Sequence, residues 1–142
     1  MTTAYDESNI FARILRGELP CHRVFEDEGA LAFMDIMPRA PGHTLVIPKQ
    51  PARTILDIAP GPLQHLALTT QRVARAVKAA MAADGLTIQQ FNESAGGQVV
   101  FHLHMHIIPR WEGEAMKPHA SATADHAVLA AQAAKIRAQL DR

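Results

Sequence analysis

The sequence predicts an α+β domain: an antiparallel β-sheet with a long central helix and a helix near each end. Three observations predict this class. Short β-type segments follow one another in hairpin-like succession, helical patterns lie at the ends and in the middle, and one late segment alternates strictly between histidine and apolar residues. With 142 residues, 48% of them hydrophobic, the chain can form one core, so we expect a single domain over residues 1–142.

The first half of the chain predicts a short helix and three strands. The helix is expected over residues 6–16, with Gly17 placed to end it. Its apolar stripe consists of Ile10, Phe11, Ile14 and Leu15. The strands are expected at residues 21–26, 29–35 and 43–47, because these segments favour extended structure and are bounded by turn residues or proline.

The second half predicts the longest helix, two further strands and a final helix. The long helix is expected over residues 62–84, with Gly85 as its cap. Its apolar stripe consists of Leu63, Leu66, Thr70, Val73, Val77 and Met81. Strands follow at residues 86–92 and 99–109, separated by a glycine-containing loop at 93–98. An alanine-rich helix over 122–141 has an apolar face formed by Leu129, Ala133, Ile136 and Leu140.

The bulk composition excludes several classes of partner. Fourteen Lys and Arg residues balance fourteen Asp and Glu residues, so we expect no nucleic-acid or membrane partner. The single cysteine, Cys21, cannot form an internal disulfide. Neither a signal-peptide pattern nor an apolar run of about 18 residues is visible, so we expect a soluble cytoplasmic protein.

The most informative segment, residues 101–108, reads Phe-His-Leu-His-Met-His-Ile-Ile. In a β-strand, successive side chains point to opposite faces, so His102, His104 and His106 are expected in a row roughly 6–7 Å apart. The apolar residues between them, which are expected to face a core, are Phe101, Leu103, Met105 and Ile107.

Two kinds of chemistry account for such a row. Imidazole is a common zinc ligand, but three alternate positions span about 13 Å, so a metal would need ligands from elsewhere. Alternatively, one imidazole attacks a phosphoryl centre while its neighbours balance the charge of the phosphate oxygens. The preceding loop, Asn92–Gln98, favours the second chemistry because its two glycines let backbone N–H groups approach an anion and its amide side chains add donors.

Several segments resemble the histidine triad (HIT) family of nucleotide hydrolases and transferases. Residues 102–108 fit its alternating histidine signature, and the likeness covers roughly residues 8–111. The other matching segments, in family order, are Leu31–Pro38, Pro41–Lys49, Phe91–Glu93 and Gly96–Gln98. The resemblance implies a HIT-like fold, a purine nucleotide substrate, no catalytic metal or cofactor, and a homodimer formed through the long helix and an edge strand. An exposed-looking Trp111 adds weak support for the dimer.

The resemblance also implies roles for individual residues. His104 matches the nucleophile that forms a nucleotidyl-histidine intermediate, His102 the residue that orients it, and His106 a phosphate contact. The phosphate-binding loop corresponds to Asn92, Gly97, Gln98 and Val99, the ribose-binding acid to Asp35, and the apolar base slot to Phe11, Ile14, Phe33 and Ile36. His43 matches a position close to the triad, where a structural role is equally compatible. The remaining histidines, expected at the surface, are His22, His65, His119 and His126.

Some positions depart from the family pattern. Many bacterial members hold a structural zinc with a Cys-x-x-Cys pair and a histidine after the Pro-Lys segment. Here the corresponding residues are Asn9, Ala12 and the Gln50–Pro51 pair, so we expect no zinc. Val99 replaces the serine of several nucleoside phosphoramidases, which weakens the expectation of phosphoramidate cleavage. The sequence therefore leaves open a phosphoramidase, a dinucleoside polyphosphate hydrolase, a nucleotidyltransferase or a nucleotide-binding regulatory protein with little turnover.

Overall fold

A computed structural model describes residues 4–118 and 122–140 and confirms the predicted α+β class. Its described part contains a five-stranded antiparallel sheet with the strand order β1-β2-β3-β5-β4. The strands are β1 (Arg23–Glu26), β2 (Ala30–Met34), β3 (Thr44–Pro48), β4 (Gly85–Gln89) and β5 (Met105–Arg110). The α-helices are α1 (Ile10–Leu15), α2 (Pro60–Ala80) and α3 (His126–Gln139), and a 3₁₀ turn covers Ser94–Gly96.

The two faces of the sheet have different coverings. On one face, α2 and α3 pack against the sheet and cover a large apolar core. Alternate residues of the strands point to this face and contribute to the core. This core includes Val24, Met34, Val46, Leu66, Val73, Val77, Leu103, Ile107, Leu129 and Ile136. On the other face α1 contributes Phe11 to a smaller cluster with Leu31, Phe33, Leu45 and Ile47. The smaller cluster leaves room for the cavity described below.

Helix α1 is shorter than predicted. Asn9 is its N-cap, and the Asn9 side-chain oxygen accepts a hydrogen bond of 2.9 Å from the backbone N–H of Ala12. Residues before Asn9 instead form a turn, in which Asp6 accepts hydrogen bonds from the backbone N–H and hydroxyl of Ser8. Helix α3 likewise begins later than expected, at His126, because Asp125 accepts from the Ala127 N–H as its N-cap.

Helix α2 begins and ends earlier than predicted. Pro60 occupies its first turn, where a missing backbone N–H costs nothing. The prediction that Gly85 caps this helix is wrong: Met81 is the C-cap, Ala82 takes the left-handed conformation with φ of 49°, and Gly85 is the first residue of β4. The exposed-looking Trp111 is in fact partly buried, since its indole N–H donates to the carbonyl of Ala82 at 3.0 Å.

The histidine strand is also shorter than predicted. Only residues from Met105 onward pair with neighbouring strands, and residues 99–104 are irregular. Side chains and loops occupy the hydrogen-bonding groups that a ladder would need: the Gln98 amide donates to the Val100 carbonyl, and the Leu103 N–H donates to the carbonyl of Ala52. Leu103 and Ile107 do face the core, as expected, with Met105 packed beside it. None of the helices in the described residues is long and apolar enough to cross a membrane.

Candidate active site

A cavity of about 600 Å³ opens beside the smaller apolar cluster. His104 and His106 line it, and His43 joins them from the residue before β3. The ring centroids of His104 and His106 lie 4.9 Å apart, closer than the spacing of a regular strand predicts. The structure therefore brings two of the three predicted catalytic histidines together at one wall of the cavity.

The orientation of His104 is fixed by the backbone two residues earlier. Its Nδ1 lies 2.7 Å from the carbonyl oxygen of His102, and a carbonyl can only accept a hydrogen bond. Nδ1 therefore carries the proton, and Nε2 carries the lone pair. The ring of Phe11 packs edge to face against the His104 ring, with centroids 4.9 Å apart, and so restricts the orientation of the imidazole. This is the tautomer that a nucleophilic histidine requires.

The tautomer of His106 is set by a chain of hydrogen bonds that starts at a backbone amide. The N–H of Arg39 donates to Nδ1 of His43 at 3.0 Å, so the proton of His43 lies on Nε2. His43 Nε2 then lies 3.0 Å from Nδ1 of His106 and 3.4 Å from a carboxylate oxygen of Asp35. His106 Nδ1 accepts, and the His106 proton lies on Nε2. His106 is thus an N–H donor at the cavity wall.

His102 does not share the cavity, so the prediction of three histidines in one row is wrong for this residue. Its ring is fully buried: Nε2 donates to the carbonyl of Pro48 at 2.8 Å, and Nδ1 accepts from the hydroxyl of Tyr5 at 2.5 Å. Burial lowers the pKa of His102 below its ordinary value of 6.5, against a smaller opposing effect of the Pro48 hydrogen bond. The contact of His102 with His104 is made by its backbone carbonyl.

The residues of the predicted phosphate-binding loop have two different positions. Gly97 and Val99 line the cavity, whereas the side-chain amides of Asn92 and Gln98 form hydrogen bonds that fix the loop backbone. The Asn92 side-chain oxygen accepts from the N–H of Ile55, and the Gln98 amide donates to the carbonyl of Arg53. Gly97 has a φ of 98°, and a Cβ atom there would lie 3.2 Å from the ring of Phe91. A side chain at position 97 would therefore be strained, whereas glycine is not.

The predicted base slot and ribose acid lie together along the cavity. Phe11, Ile14, Phe33 and Ile36 all line it, with Phe11 and Phe33 in edge-to-face contact at 5.3 Å. Ile36 is 46% exposed, so the slot is open to solvent on the side of Ile36. Asp35 also lines the cavity, and one of its oxygens accepts from the N–H of Met37 at 2.8 Å.

The residues present do not fit the family's structural zinc site. Asn9 and Ala12 stand at the expected cysteine positions, and the Asn9 oxygen is used to cap α1. Gln50 and Pro51 stand where zinc-binding members of the family have a histidine. Among the described residues, these three positions therefore supply no thiolate or imidazole for a four-coordinate zinc centre.

One group of three potential metal ligands occurs within the described residues, at Asp35, His43 and His106, whose donor atoms lie within 4.8 Å of one another. The hydrogen bonds already described explain this closeness. His43 uses its only lone pair to accept from the Arg39 N–H, and its Nε2 proton points at the other two residues. While those bonds are kept, hydrogen bonds link the three residues, and the group offers no complete ligand set.

Several residues at the site are not predicted by the sequence. Tyr5 reaches His102 across 97 positions of sequence, and the backbone of Arg39 fixes His43. His22 and His126, expected at the surface, are half-buried and exposed, respectively, but both line the cavity and meet each other. Only the turn signal at Pro38–Gly42 pointed to the Arg39 contact; nothing local in the sequence indicates the others. Of the remaining histidines, His65 pairs with Asp27 outside the cavity, and His119 lies outside the described residues.

The fold and this cavity define an α+β protein with a histidine-lined site, and comparison with known proteins identifies the family. A model of the HIT domain matches residues 16–113, and the chain belongs to the HIT family. A crystal structure of a Hit-like protein involved in cell-cycle regulation from Bartonella henselae is similar, with a TM-score of 0.92 and 50% identity over 96% of this chain and 99% of that one.

Other relatives differ in what is known of them. A zinc-bound histidine triad family protein from Mycobacterium smegmatis has a TM-score of 0.82 and 36% identity, covering 94% of both chains. An uncharacterized HIT-like protein of Mycobacterium tuberculosis is 40% identical over 74% of this chain and 73% of its own length. Adenylylsulfatase HINT3 of Arabidopsis thaliana is 34% identical over 78% of this chain and 59% of its own length.

Proposed function

We propose that this protein hydrolyses a nucleoside 5′-phosphoryl bond through a covalent nucleotidyl intermediate on His104. The observation that carries the proposal is the 2.7 Å hydrogen bond from His104 Nδ1 to the His102 carbonyl, which leaves the Nε2 lone pair as the nucleophile. The catalytic residues we assign are His104 and His106, with His102 and His43 as positioning residues. No metal or cofactor takes part in these steps.

The chemistry proceeds in two displacements. His104 Nε2 forms a bond to phosphorus, the bond to the leaving group breaks, and the leaving group departs with its electron pair and takes up a proton from solvent. The phosphorylated imidazolium that results is positively charged, and the His102 carbonyl dipole at Nδ1 stabilises it. Water then displaces His104 from phosphorus and returns a proton to solvent, which releases a nucleoside monophosphate and restores the neutral imidazole.

The second wall of the cavity stabilises the phosphoryl oxygens. His106 offers an Nε2–H donor whose orientation follows from the His43 contact at 3.0 Å. Gly97 and Val99 bring backbone to the same cavity, so the loop approaches the substrate through its main chain. Since the Asn92 and Gln98 amides are bonded within the loop, their proposed contribution to phosphate binding is to hold that main chain in place.

The leading substrates are purine nucleoside phosphoramidates and dinucleoside polyphosphates, and the name of the Arabidopsis relative adds adenylyl sulfate. A nucleotidyltransferase, in which another acceptor replaces water, uses the same first step. A substrate panel of lysyl- and aminoacyl-adenylate analogues, diadenosine polyphosphates and adenylyl sulfate, compared by kcat/KM with and without inorganic phosphate, separates these possibilities. We also propose that the protein acts as a homodimer in the cytoplasm.

Replacing His104 by alanine tests the mechanism. We expect the His104→Ala variant to lose at least about a thousandfold in kcat, because a covalent nucleophile has no substitute, while nucleotide binding persists through the base slot. Rapid acid-free quenching should trap a phosphoramidate adduct on His104 in the parent protein and none in the variant. His65→Ala, which removes a histidine outside the cavity, is the matched control. Near-normal turnover in His104→Ala, or an adduct on His106, would contradict the mechanism.

A further inference from the structure

Two histidines far apart in the sequence meet at the cavity. Nε2 of His22 lies 2.9 Å from Nδ1 of His126, and their ring centroids are 5.2 Å apart. His22 lies just before β1, and His126 is the first residue of α3. Both rings line the same cavity as His104.

The chain after β5 brings His126 to this position. The N–H of Lys117 donates to the carbonyl of Arg39 at 3.0 Å, and the N–H of Ala124 donates to the carbonyl of Ile36 at 2.8 Å. The described parts of this segment therefore lie along the wall of the cavity that contains Ile36 and Arg39. Asp125 then caps α3 and sets the backbone on which His126 projects.

The pair lies away from the phosphoryl-transfer groups. Starting from His104, the ring of Phe11 comes first and the ring of Phe33 second. The backbone N–H of Met34, the residue after Phe33, donates to the carbonyl of His22 at 3.0 Å. Because the sheet order is β1-β2-β3-β5, His22 just before β1 lies three strands away from His106 on β5, at the far side of the apolar slot.

The polar groups of the cavity have different uses. Asp35, His43 and His106 form one hydrogen-bonded group, and the Arg39 guanidinium donates to the carbonyl of Lys117 and the side chain of Gln89. The base slot itself is apolar, yet the edge of a nucleobase carries donors and acceptors that lose free energy if buried without partners. At the end of the cavity away from His104, His22 and His126 supply imidazole nitrogens that can donate or accept hydrogen bonds.

We infer that the His22–His126 pair is a nucleobase-edge subsite, which hydrogen-bonds the base of the nucleotide whose phosphate meets His104. This inference rests on the proposed function. Because the two rings share one proton between them, their other two nitrogens carry one proton and one lone pair, in either order. The pair can therefore match a donor or an acceptor on the base by exchanging tautomers.

Binding measurements on AMP, GMP and ribose 5-phosphate test the subsite. We expect His126→Ala and His22→Leu each to weaken AMP and GMP binding about 3- to 10-fold, the range of one lost hydrogen bond, and to leave ribose 5-phosphate binding within about twofold. The double variant should lose less than the product of the two single losses, because each ring acts through the other. His65→Ala is the matched control outside the cavity.

The alternatives give different results. Equal losses for AMP and ribose 5-phosphate would overturn the subsite and assign the pair to closing the cavity. Unchanged AMP and GMP binding in both single variants would also overturn it, whether or not the parent protein turns over substrate. If the parent protein binds neither AMP nor GMP, the proposed function fails and the subsite fails with it. Parent-like folding of His22→Leu is checked by its circular dichroism and its thermal unfolding.

Discussion

At the scale of single residues, the site is organised by backbone groups that fix imidazole tautomers. The carbonyl of His102 accepts a hydrogen bond from Nδ1 of His104, so the His104 proton lies on Nδ1. The N–H of Arg39 donates to Nδ1 of His43, so the His43 proton lies on Nε2. A backbone N–H can only donate and a carbonyl can only accept, so each contact determines the orientation without needing a further charged group. The chemistry of the histidines therefore depends on the course of the main chain beside them.

Asp35 is placed for two roles, and its replacement distinguishes them. We expect Asp35→Asn to weaken ribonucleotide binding about tenfold and deoxyribonucleotide binding little, because a carboxylate facing ribose hydroxyls is left unpaired when they are missing. Calorimetry with AMP and dAMP measures the difference, with Asp27→Asn outside the cavity as control. Equal losses for both sugars would instead assign Asp35 to holding His43, whose Nε2 lies 3.4 Å away.

His102 should remain neutral in mildly acidic solution. Burial lowers its pKa below 6.5, so the unfolded chain binds a proton at a pH where the native His102 does not. Stability is therefore retained above about pH 6.5 and falls as the pH decreases through that value. An NMR titration that follows the His102 ring from pH 8 to pH 5 checks the direction. A midpoint at or above 6.5 would contradict it.

At the scale of elements, the sequence predicted the pattern of helices and strands well, because apolar periodicity reports burial directly. Residues such as Val73 and Ile136 face the core as their spacing requires. The histidine segment was predicted as a longer strand than it is, since alternation cannot show that Gln98 and Ala52 take its backbone partners. The Tyr5–His102 and His22–His126 contacts depend on tertiary packing, which no local pattern encodes.

In the N-terminal segment, Asn9 stands at a position where many family members have a zinc-binding cysteine, and its side chain caps α1. The hydroxyl of Tyr5, whose pKa burial raises so that it stays a donor, occupies His102 Nδ1. We expect purified protein to contain far less than one zinc per chain and to keep its activity in chelator. Elemental analysis after exhaustive dialysis measures the metal. About one bound zinc per chain, or inactivation by the chelator, would contradict this expectation.

At the scale of the whole molecule, the open surfaces agree with the proposed dimer. β4 is an edge strand, and Ile88 on it is 44% exposed. On α2, Leu68 is 67% exposed although its neighbours Leu66 and Thr69 are buried, so it lies on the outer side of the helix. Apolar side chains on an edge strand and on an outer helix face are typical of an association surface.

A charge at position 68 tests the dimer. Light scattering of the parent protein at micromolar concentration should give twice the chain mass of 15.5 kDa. We expect Leu68→Lys to shift the mass toward the monomer, because burying an unpaired ammonium in an interface is costly. Leu56→Lys is the control, since Leu56 is 83% exposed in the loop before α2. A parent protein of monomer mass would contradict the dimer.

The central pairing of β3 with β5 also affects how the chain folds. Thr44 pairs with Ile107 and Leu45 with His106, positions about sixty residues apart with α2 and β4 between them. Closing so long a loop costs conformational entropy before the strand contacts stabilise it, so we expect this pairing to form slowly during folding. The β1–β2 hairpin and α2 involve only local contacts and can form without it. The nucleophile therefore acquires its surroundings only when the most distant strands have joined, and a partly folded chain would have no functional site to expose.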